Sequence, residues 1–374
     1  MTKTRVIANY LPQFHEIPEN NRFWGKGYTD WVAVRNAKPI FQGHGQPKAP
    51  ENNNYYSLDD INTLKWQAQL AKANGVYGFG IYHYWFSSNL KLLEKPAELI
   101  LSSKDIDINF MFIWDNGSWK RTWSNVKRGN DWAPEFDDGK KNPEDNGMLA
   151  ELKYGNEQDW KIHFDYLCNF FEDKRYIKIN NCPVFAFFQP DNDFDIVNKM
   201  CEYWNTLAIE KGFNGICFVS KCNYRGVKLE YSFRYEPLSV NSKLELLIAR
   251  FENIRNKCFP KIRLYDYDVI WKKILSNARS NKDKKQFYGA FVGFDDTPRR
   301  GNKAKVVLGK TPQKFEKYMS ELLQISRQQD KEFVFLTAWN EWGEGAYLEP
   351  DTEDGSAYLD ALKRAVESVY AENV

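Results

Sequence analysis

Nothing in this 374-residue chain stays apolar for long enough to span a bilayer. Its start, MTKTRVIANYLPQF, lacks the apolar stretch and small-residue cleavage site of a secretory leader. A cytoplasmic protein without membrane insertion is the expectation. One-signed charge is missing as well: 52 Lys and Arg offset 50 Asp and Glu, a formal net charge of +2. That balance argues against a nucleic-acid binder, which carries a basic face or stripe. Histidine is scarce, at four residues, with no HxH or HExxH spacing. The six cysteines (Cys168, Cys182, Cys201, Cys217, Cys222 and Cys258) contain no CxxC pair and no regular framework. A zinc site and a disulfide scaffold are therefore both disfavoured, and reduced, buried thiols are expected. A glycine-rich strand-to-helix turn is also absent: GFGIYHY, residues 78–84, lies within a strand pattern and lacks GxGxxG spacing. No metal and no cofactor are expected.

Aromatic residues, by contrast, are abundant: 26 Phe, 21 Tyr and 13 Trp make 16% of the chain, within a hydrophobic share of 43%. That share suffices for a large core and is too high for general disorder. Eight apolar or β-branched runs read as strands: RVIANY (5–10), VYGFGIYHYW (76–85), INFMFIW (108–114), PVFAFF (183–188), GICFVS (215–220), LEYSFRY (229–235), QFYGAFVGF (286–294) and EFVFLTAW (332–339). Helical segments lie between them. The clearest spans 57–75, with Ser57 as N-cap, Asp60 at N3, Ile61, Leu64, Ala68 and Ala71 at helical spacing, and Gly75 past the end. Others cover 157–174, 194–211, 241–257, 265–279, 312–328 and 355–371. Eightfold alternation of apolar strands with helices points to a parallel sheet closed as a single (β/α)8 TIM barrel over residues 1–374. An open doubly wound sheet is the alternative, disfavoured by the missing phosphate turn. Two connections, 11–56 and 115–156, are unusually long and rich in Trp and Asn. Both leave the C-terminal ends of strands, the face on which barrel enzymes hold their active sites.

Polar-aromatic motifs gather at these strand ends: NYLPQFH (9–15), YHYWF (82–86), WDNGSWKRTW (114–123), FDDTPRRG (294–301) and WNEWGEGAYLEPD (339–351). The last holds Glu341 and Glu344, three positions apart. In a continuing strand the two would face opposite ways. Gly343 and Gly345 allow a sharp turn after Trp342 that can send both into one pocket. Close carboxylates raise one pKa, giving a protonated acid beside an ionised base, the division of labour that glycoside cleavage needs. A capping or salt-bridged pair is the competing reading. Glu349 and Asp351 read as solvated loop acids or as charges at a helix N-terminus. His15 and His83 are read either as ligands for sugar hydroxyls or as satisfied structural histidines. Tyr82 and Tyr84 alternate with His83, so they face one side and His83 the other; spacing does not say which side holds the pocket. Asp295 and Asp296 either bind sugar hydroxyls or pair with Arg299 and Arg300. Trp339 and Trp342 are candidate stacking platforms, one of them expected in the core, with Asn340 between them, and Trp114, Asn116 and Trp119 are further substrate-binding candidates. Tryptophans beside amides and acids suit stacking on sugar rings and bonding to their hydroxyls.

In order, NYLPQFH, FWGKGYTDW, YGFGIYHYWF, FVGFDDTPRRG and AWNEWGEGAYLEPD resemble the WbsX family of polysaccharide-biosynthesis proteins, also described as glycoside hydrolase family 99-like, and they span nearly the whole chain. The closing motif is the most specific. Its Glu-x-x-Glu more distantly resembles the endo-α-mannosidases and endo-α-mannanases of family 99. That resemblance implies a (β/α)8 barrel and a retaining route. One Glu deprotonates the sugar's 2-hydroxyl, whose oxygen attacks C1 to give a 1,2-anhydro sugar, while a second Glu protonates the leaving oxygen. By position Glu341 is the implied base and Glu344 the implied acid/base. The implied substrate is an oligosaccharide or polysaccharide with α-linked, manno-configured sugars, whose axial 2-hydroxyl lies anti to the leaving group. Where the family shows Trp-Ala-Asn-Glu-Asn-Trp after the third strand, this chain has WDNGSW: Gly117 replaces the acid and Asp115 stands one step away. Gly343 stands where family 99 more often has His. A glycosyltransferase with an activated donor and a non-catalytic glycan-binding barrel are the alternatives.

Overall fold

The computed structural model describes residues 4–121, 129–130, 134, 146–222, 226–239 and 262–370. Eight parallel strands form its centre: β1 (Arg5–Tyr10), β2 (Val76–Ser87), β3 (Asn109–Trp114), β4 (Cys182–Phe187), β5 (Cys217–Lys221), β6 (Tyr231–Phe233), β7 (Gln286–Phe291) and β8 (Phe333–Thr337). Each pairs with its neighbour in sequence, and β8 pairs back onto β1 through Val6↔Val334 and Ile7↔Phe335. The sheet is closed, which makes the fold a (β/α)8 barrel and sets aside the open doubly wound alternative. Closure also explains the apolar strand sequences. With side chains on one face filling the barrel and those on the other meeting helices, both faces are buried, as at every position of β8 (FVFLT).

Helices among the described residues are α1 (Pro18–Trp24), α2 (Asp30–Asn36), α3 (Ile61–Ala73), α4 (Lys95–Ser102), α5 (Glu157–Phe171), α6 (Phe194–Glu210), α7 (Tyr267–Ser280), the one-turn α8 (Thr297–Arg300), α9 (Pro312–Gln328) and α10 (Ala357–Tyr370). Most boundaries shift by one to three residues from expectation, and two show their cause directly. Helix α3 starts at Ile61 because Asp60, not Ser57, is its N-cap: the Asp60 carboxylate accepts the Asn62 N–H, while the Ser57 hydroxyl donates to Asp59. Strand β6 ends at Phe233: the Arg234 N–H still donates across to the Phe287 carbonyl of β7 at 3.1 Å, but the Tyr235 N–H turns to Ser239 Oγ at 2.9 Å and leaves the sheet. The expected helix 241–257 and Cys258 lie outside the described residues. Among the described residues the cysteines are free thiols, with Cys168, Cys201 and Cys217 buried, and no helix is long and apolar enough to cross a membrane.

The alternation along β2 decides what reaches the barrel mouth. His83 and Trp85 turn outward onto α5, where the His83 ring nitrogen lies 2.8 Å from that of His163 and Trp85 stacks on His163 at 4.2 Å. Tyr82 and Tyr84 take the other face.

Candidate active site

The chain leaving β8 reverses almost at once. Asn340–Glu341 pairs antiparallel with Ala346–Tyr347, and Trp342–Glu344 makes one 3-10 turn between them. The turn closes at Gly345 with φ +56°, a left-handed conformation that glycine adopts without strain. An added Cβ there would also lie 3.0 Å from the Asp295 nitrogen. Through this reversal both carboxylates meet one partner, Arg299, on α8. Its guanidinium donates to Glu341 Oε2 and to Glu344 Oε1, each at 3.0 Å, and to both oxygens of Asp30 at 3.1 Å. Asp30 opens α2 and also accepts the Gly343 N–H at 3.0 Å, so one acid clamps both the arginine and the turn.

One buried cation therefore serves three carboxylates. The competition is uneven, since the bidentate Asp30 pair is the strongest geometry for a guanidinium. Glu341 is buried, with 4% of its side chain exposed, whereas Glu344 keeps 22% in contact with solvent. Burial raises the Glu341 carboxyl to about 8; Arg299 opposes that rise, and Glu344 and Asp30 add to it. The arrangement thus holds two adjacent acids in different settings: Glu341 is buried and reluctant to ionise, while Glu344 has part of its side chain at the surface but its Oε2 buried and without a hydrogen-bond partner among the described residues.

Space around the turn is tight. A Cβ on Gly343 would sit 2.5 Å from Arg299 Nε and 2.7 Å from Asp30 Oδ2. Gly343→Ala is therefore expected to push the guanidinium off the carboxylates and to cost about 1–3 kcal/mol of stability, as overpacking does. Thermal unfolding measures that cost. A loss of activity larger than the stability change is the signature expected of a displaced Arg299.

Across the mouth the Tyr82 and Tyr235 hydroxyls meet at 3.0 Å. Both phenols, and that of Tyr84, are raised by burial first and further by the charge of Glu341. Asp115 acts on Tyr84 as well, and burial lifts its own carboxyl to about 6. Tyr82 and Tyr84 thus share the mouth with the carboxylates, joined by Tyr235, Asp115, Arg299 and Asp30, four residues that the sequence pattern does not mark as site residues.

Other candidates lie elsewhere. His83 is turned away from the carboxylates into the helix layer, where burial lowers its pKa to about 3. Trp114 points into the same layer: its indole N–H donates to the Trp85 carbonyl, and its ring packs on His163 and Trp204. His15 is buried with Asp59 and Lys95 as its charged neighbours. Asn116 ties the β3 loop to Gln189 and Tyr154, and Trp119 packs edge-on against Tyr84 and Phe86. Asn340 bonds both backbone groups of Leu11, fastening the β1 loop to the turn. Asp295 binds His44 and Gln46, while Asp296 takes the Lys305 N–H and pairs with Arg300 at 3.1 Å, so Arg299 is left to the glutamates.

Trp342 is 1% exposed and stacks on Tyr347 at 3.7 Å, which makes it core rather than an open platform; Trp339 is fully buried too. The loop acids are not solvated. Glu349 is buried, raised to about 7 by burial, and accepts from Trp342 Nε1, Tyr56 and Gln67 at 2.7–2.8 Å. Asp351 is buried and takes the Tyr347 hydroxyl at 2.6 Å. Neutral donors converging on an acid leave no periodic trace in the sequence.

No group of three or more His, Cys, Asp or Glu side chains positioned to hold a metal occurs among the described residues.

Comparison with known proteins fits this architecture. The protein of Xanthomonas campestris called uncharacterized protein WxcX is 27% identical over 372 residues, covering 96% of this chain. This chain spans about half, 49%, of that relative's length. A GH99 endo-alpha-mannosidase from Bacteroides thetaiotaomicron superposes with a TM-score of 0.59 at 12% identity, covering 100% of this chain and 99% of that one. A structure described as a glycoside hydrolase-like protein gives 0.55, also at 12% identity, over 98% and 94%. At such identities the likeness is one of fold. The family model described as glycosyltransferase WbsX matches residues 6–362, and the chain belongs to that family.

Proposed function

We propose that the chain is a retaining carbohydrate-active enzyme of glycoside hydrolase type that cleaves α-linked, manno-configured residues of a surface polysaccharide. The observation that carries this reading is the pair Glu341 and Glu344, held by one guanidinium at the C-terminal mouth of the barrel, one buried and one partly open. A base for the weakly acidic 2-hydroxyl gains from a raised pKa, since proton-accepting power rises with it. Glu341 fits that part once it is ionised, which reverses the sequence expectation that the raised carboxyl would be the acid. Glu344, whose Oε2 is buried and left without a hydrogen-bond partner among the described residues, fits an acid/base whose free oxygen meets first a leaving oxygen and then water.

The steps balance as follows. Glu341 takes the O2 proton, O2 bonds to C1, and the C1–oxygen bond to the leaving group breaks while Glu344 protonates that oxygen. Water then gives a proton to Glu344 and attacks C1; the C1–O2 bond opens, and O2 recovers its proton from Glu341. Two inversions give net retention. Tyr82, Tyr84, Tyr235 and Asp115 supply hydroxyl and carboxyl groups beside the same space and are proposed to hold the sugar. The structural likeness to GH99 endo-alpha-mannosidase supports this reading at the level of fold.

Transfer is the second reading, favoured by the name of the family. An acceptor hydroxyl in place of water would complete the same sequence. Incubation with α-mannan, with rhamnan and with nucleotide sugars separates the possibilities: new reducing ends support hydrolysis, and sugar transfer from a nucleotide supports the second reading. Binding alone refutes both. Activity is expected to survive EDTA, because the cation between the carboxylates is an arginine. Strict dependence on Mg²⁺ or Mn²⁺ would instead favour a nucleotide-sugar donor.

A further inference from the structure

A two-stranded parallel ribbon flanks the Glu344 side of the mouth: Arg263–Asp266 pairs with Lys305–Leu308, Arg263 opposite Lys305 and Tyr265 opposite Val307. Backbone bonds tie it to the turn that carries the carboxylates. Lys305 N–H donates to the Asp296 carboxylate at 2.6 Å, and Asp296 N–H to the Lys305 carbonyl at 3.2 Å. One residue back, Asp295 N–H donates to the Glu344 carbonyl at 2.6 Å. Side chains alternate along a strand. Leu264 and Val306 pack with Ile40, Phe41 and Ile262 in a satellite cluster, whereas Tyr265 and Val307 pack against the main core. Arg263 and Lys305 therefore share the barrel-facing side with Tyr265 and Val307.

Among the described residues these two cations lack a paired counter-ion: neither side chain has an ion-pair or hydrogen-bond partner, and the neighbouring Arg300 is committed to Asp296 at 3.1 Å. Burial, then repulsion from Arg263 and Arg300, holds the Lys305 ammonium below its ordinary range, while Asp296 and Glu344 only partly offset this. A half-buried ammonium beside other cations is unfavourable unless an anion arrives from outside.

We propose that Arg263 and Lys305 form an anion-binding subsite of the glycan cleft, recognising a carboxylate or phosphate carried by a sugar next to the one attacked. This rests on the carbohydrate reading above. The substrate class narrows accordingly, from manno-configured glycans in general to acidic ones: a hexuronic acid or a phosphorylated sugar supplies the same anionic oxygens, and an arginine fork with a lysine point charge accepts either.

The test measures binding of three oligosaccharides: a neutral α-mannan fragment, the same fragment carrying a 6-phosphate, and a mannuronate counterpart. Wild type is expected to prefer at least one anionic probe by on the order of 10-fold, with the preference shrinking as salt is raised. The Arg263→Gln/Lys305→Gln variant should lose the preference, and Lys305→Glu should reverse it. Whichever probe shows the larger ratio tells carboxylate from phosphate. Equal binding of all three by wild type, or a preference that survives in the double variant, overturns the proposal. Inorganic phosphate keeps this result separate from the carbohydrate reading. It is titrated against ¹³C-methylated Lys305, whose signal is assigned with Lys305→Gln. If no oligosaccharide binds while phosphate shifts that signal in wild type and not in Arg263→Gln, the anion site stands and the glycan reading fails. If phosphate leaves the signal unmoved, the anion site is refuted.

Discussion

Glu341→Gln and Glu344→Gln are each expected to lower kcat by on the order of 10³-fold or more while leaving the fold intact. Glutamine preserves shape at both positions and still offers Arg299 an oxygen, so the guanidinium keeps its contacts with the turn. What disappears is the capacity to take or give a proton. The two losses should differ in kind. Protonation of the leaving oxygen matters little when that oxygen is already a stable anion, so Glu344→Gln should recover part of its first-step rate on an activated aryl glycoside. Glu341→Gln should not, because the internal nucleophile still needs its proton removed. If either variant turns over a verified substrate at near wild-type rate, that residue's role is lost.

The second large effect concerns Arg299 and Asp30, and its signature is a pair of opposite pH shifts. Groups around Glu341 come from several elements: Arg299 on α8, Asp30 on α2, Glu344 on the same turn, Tyr82 and Tyr84 on β2, and Tyr235 after β6. Glu341 must be ionised to act as the base, and burial holds its carboxyl above the ordinary range, so kcat/KM should fall as pH drops through that raised value. Arg299 lowers the Glu341 pKa, so Arg299→Gln should move this acid limb to higher pH. Asp30 raises it, so Asp30→Asn should move the limb to lower pH. Both should also slow turnover by on the order of 10²-fold through misplacement of the turn. A purely structural role would slow both variants without moving the limbs apart. Since breaking a buried ion network can cost about 3–5 kcal/mol, Arg299→Lys serves as the conservative control: it keeps the charge and loses the fork.

Much of the barrel was legible because closure buries both strand faces, and a strand buried on both faces reads as an unbroken apolar run. Helix α9 begins and ends at the positions its amphipathic pattern marks, residues 312–328. The turn at Glu341 and Glu344 was legible for a local reason as well, since Gly343 and Gly345 flank the acid that must swing round. What binds those acids was not. Arg299 and Asp30 are 269 positions apart, and an ion pair across that separation has no periodicity to betray it. The alternation of Tyr82, His83 and Tyr84 set two faces without naming the inner one; that depended on α5, whose His163 and Tyr166 receive the His83 ring. Glu349 misled for a related reason. An acid in a Gly- and Pro-containing loop reads as solvated until the chain folds Tyr56, Gln67 and Trp342 around it.

The division of labour between the two glutamates is tested most directly with a reactive α-manno glycoside and its 2-deoxy-2-fluoro analogue, read by turnover and by intact-protein mass spectrometry. Removing the 2-hydroxyl deletes the internal nucleophile, so the fluoro compound should not be turned over and the protein mass should stay unchanged, while the parent glycoside is cleaved. A direct nucleophile must instead approach C1 to about 3 Å and would be trapped as a fluoroglycosyl ester. Detection of that ester on Glu341 would contradict the 2-hydroxyl route and assign the pair to ordinary double displacement.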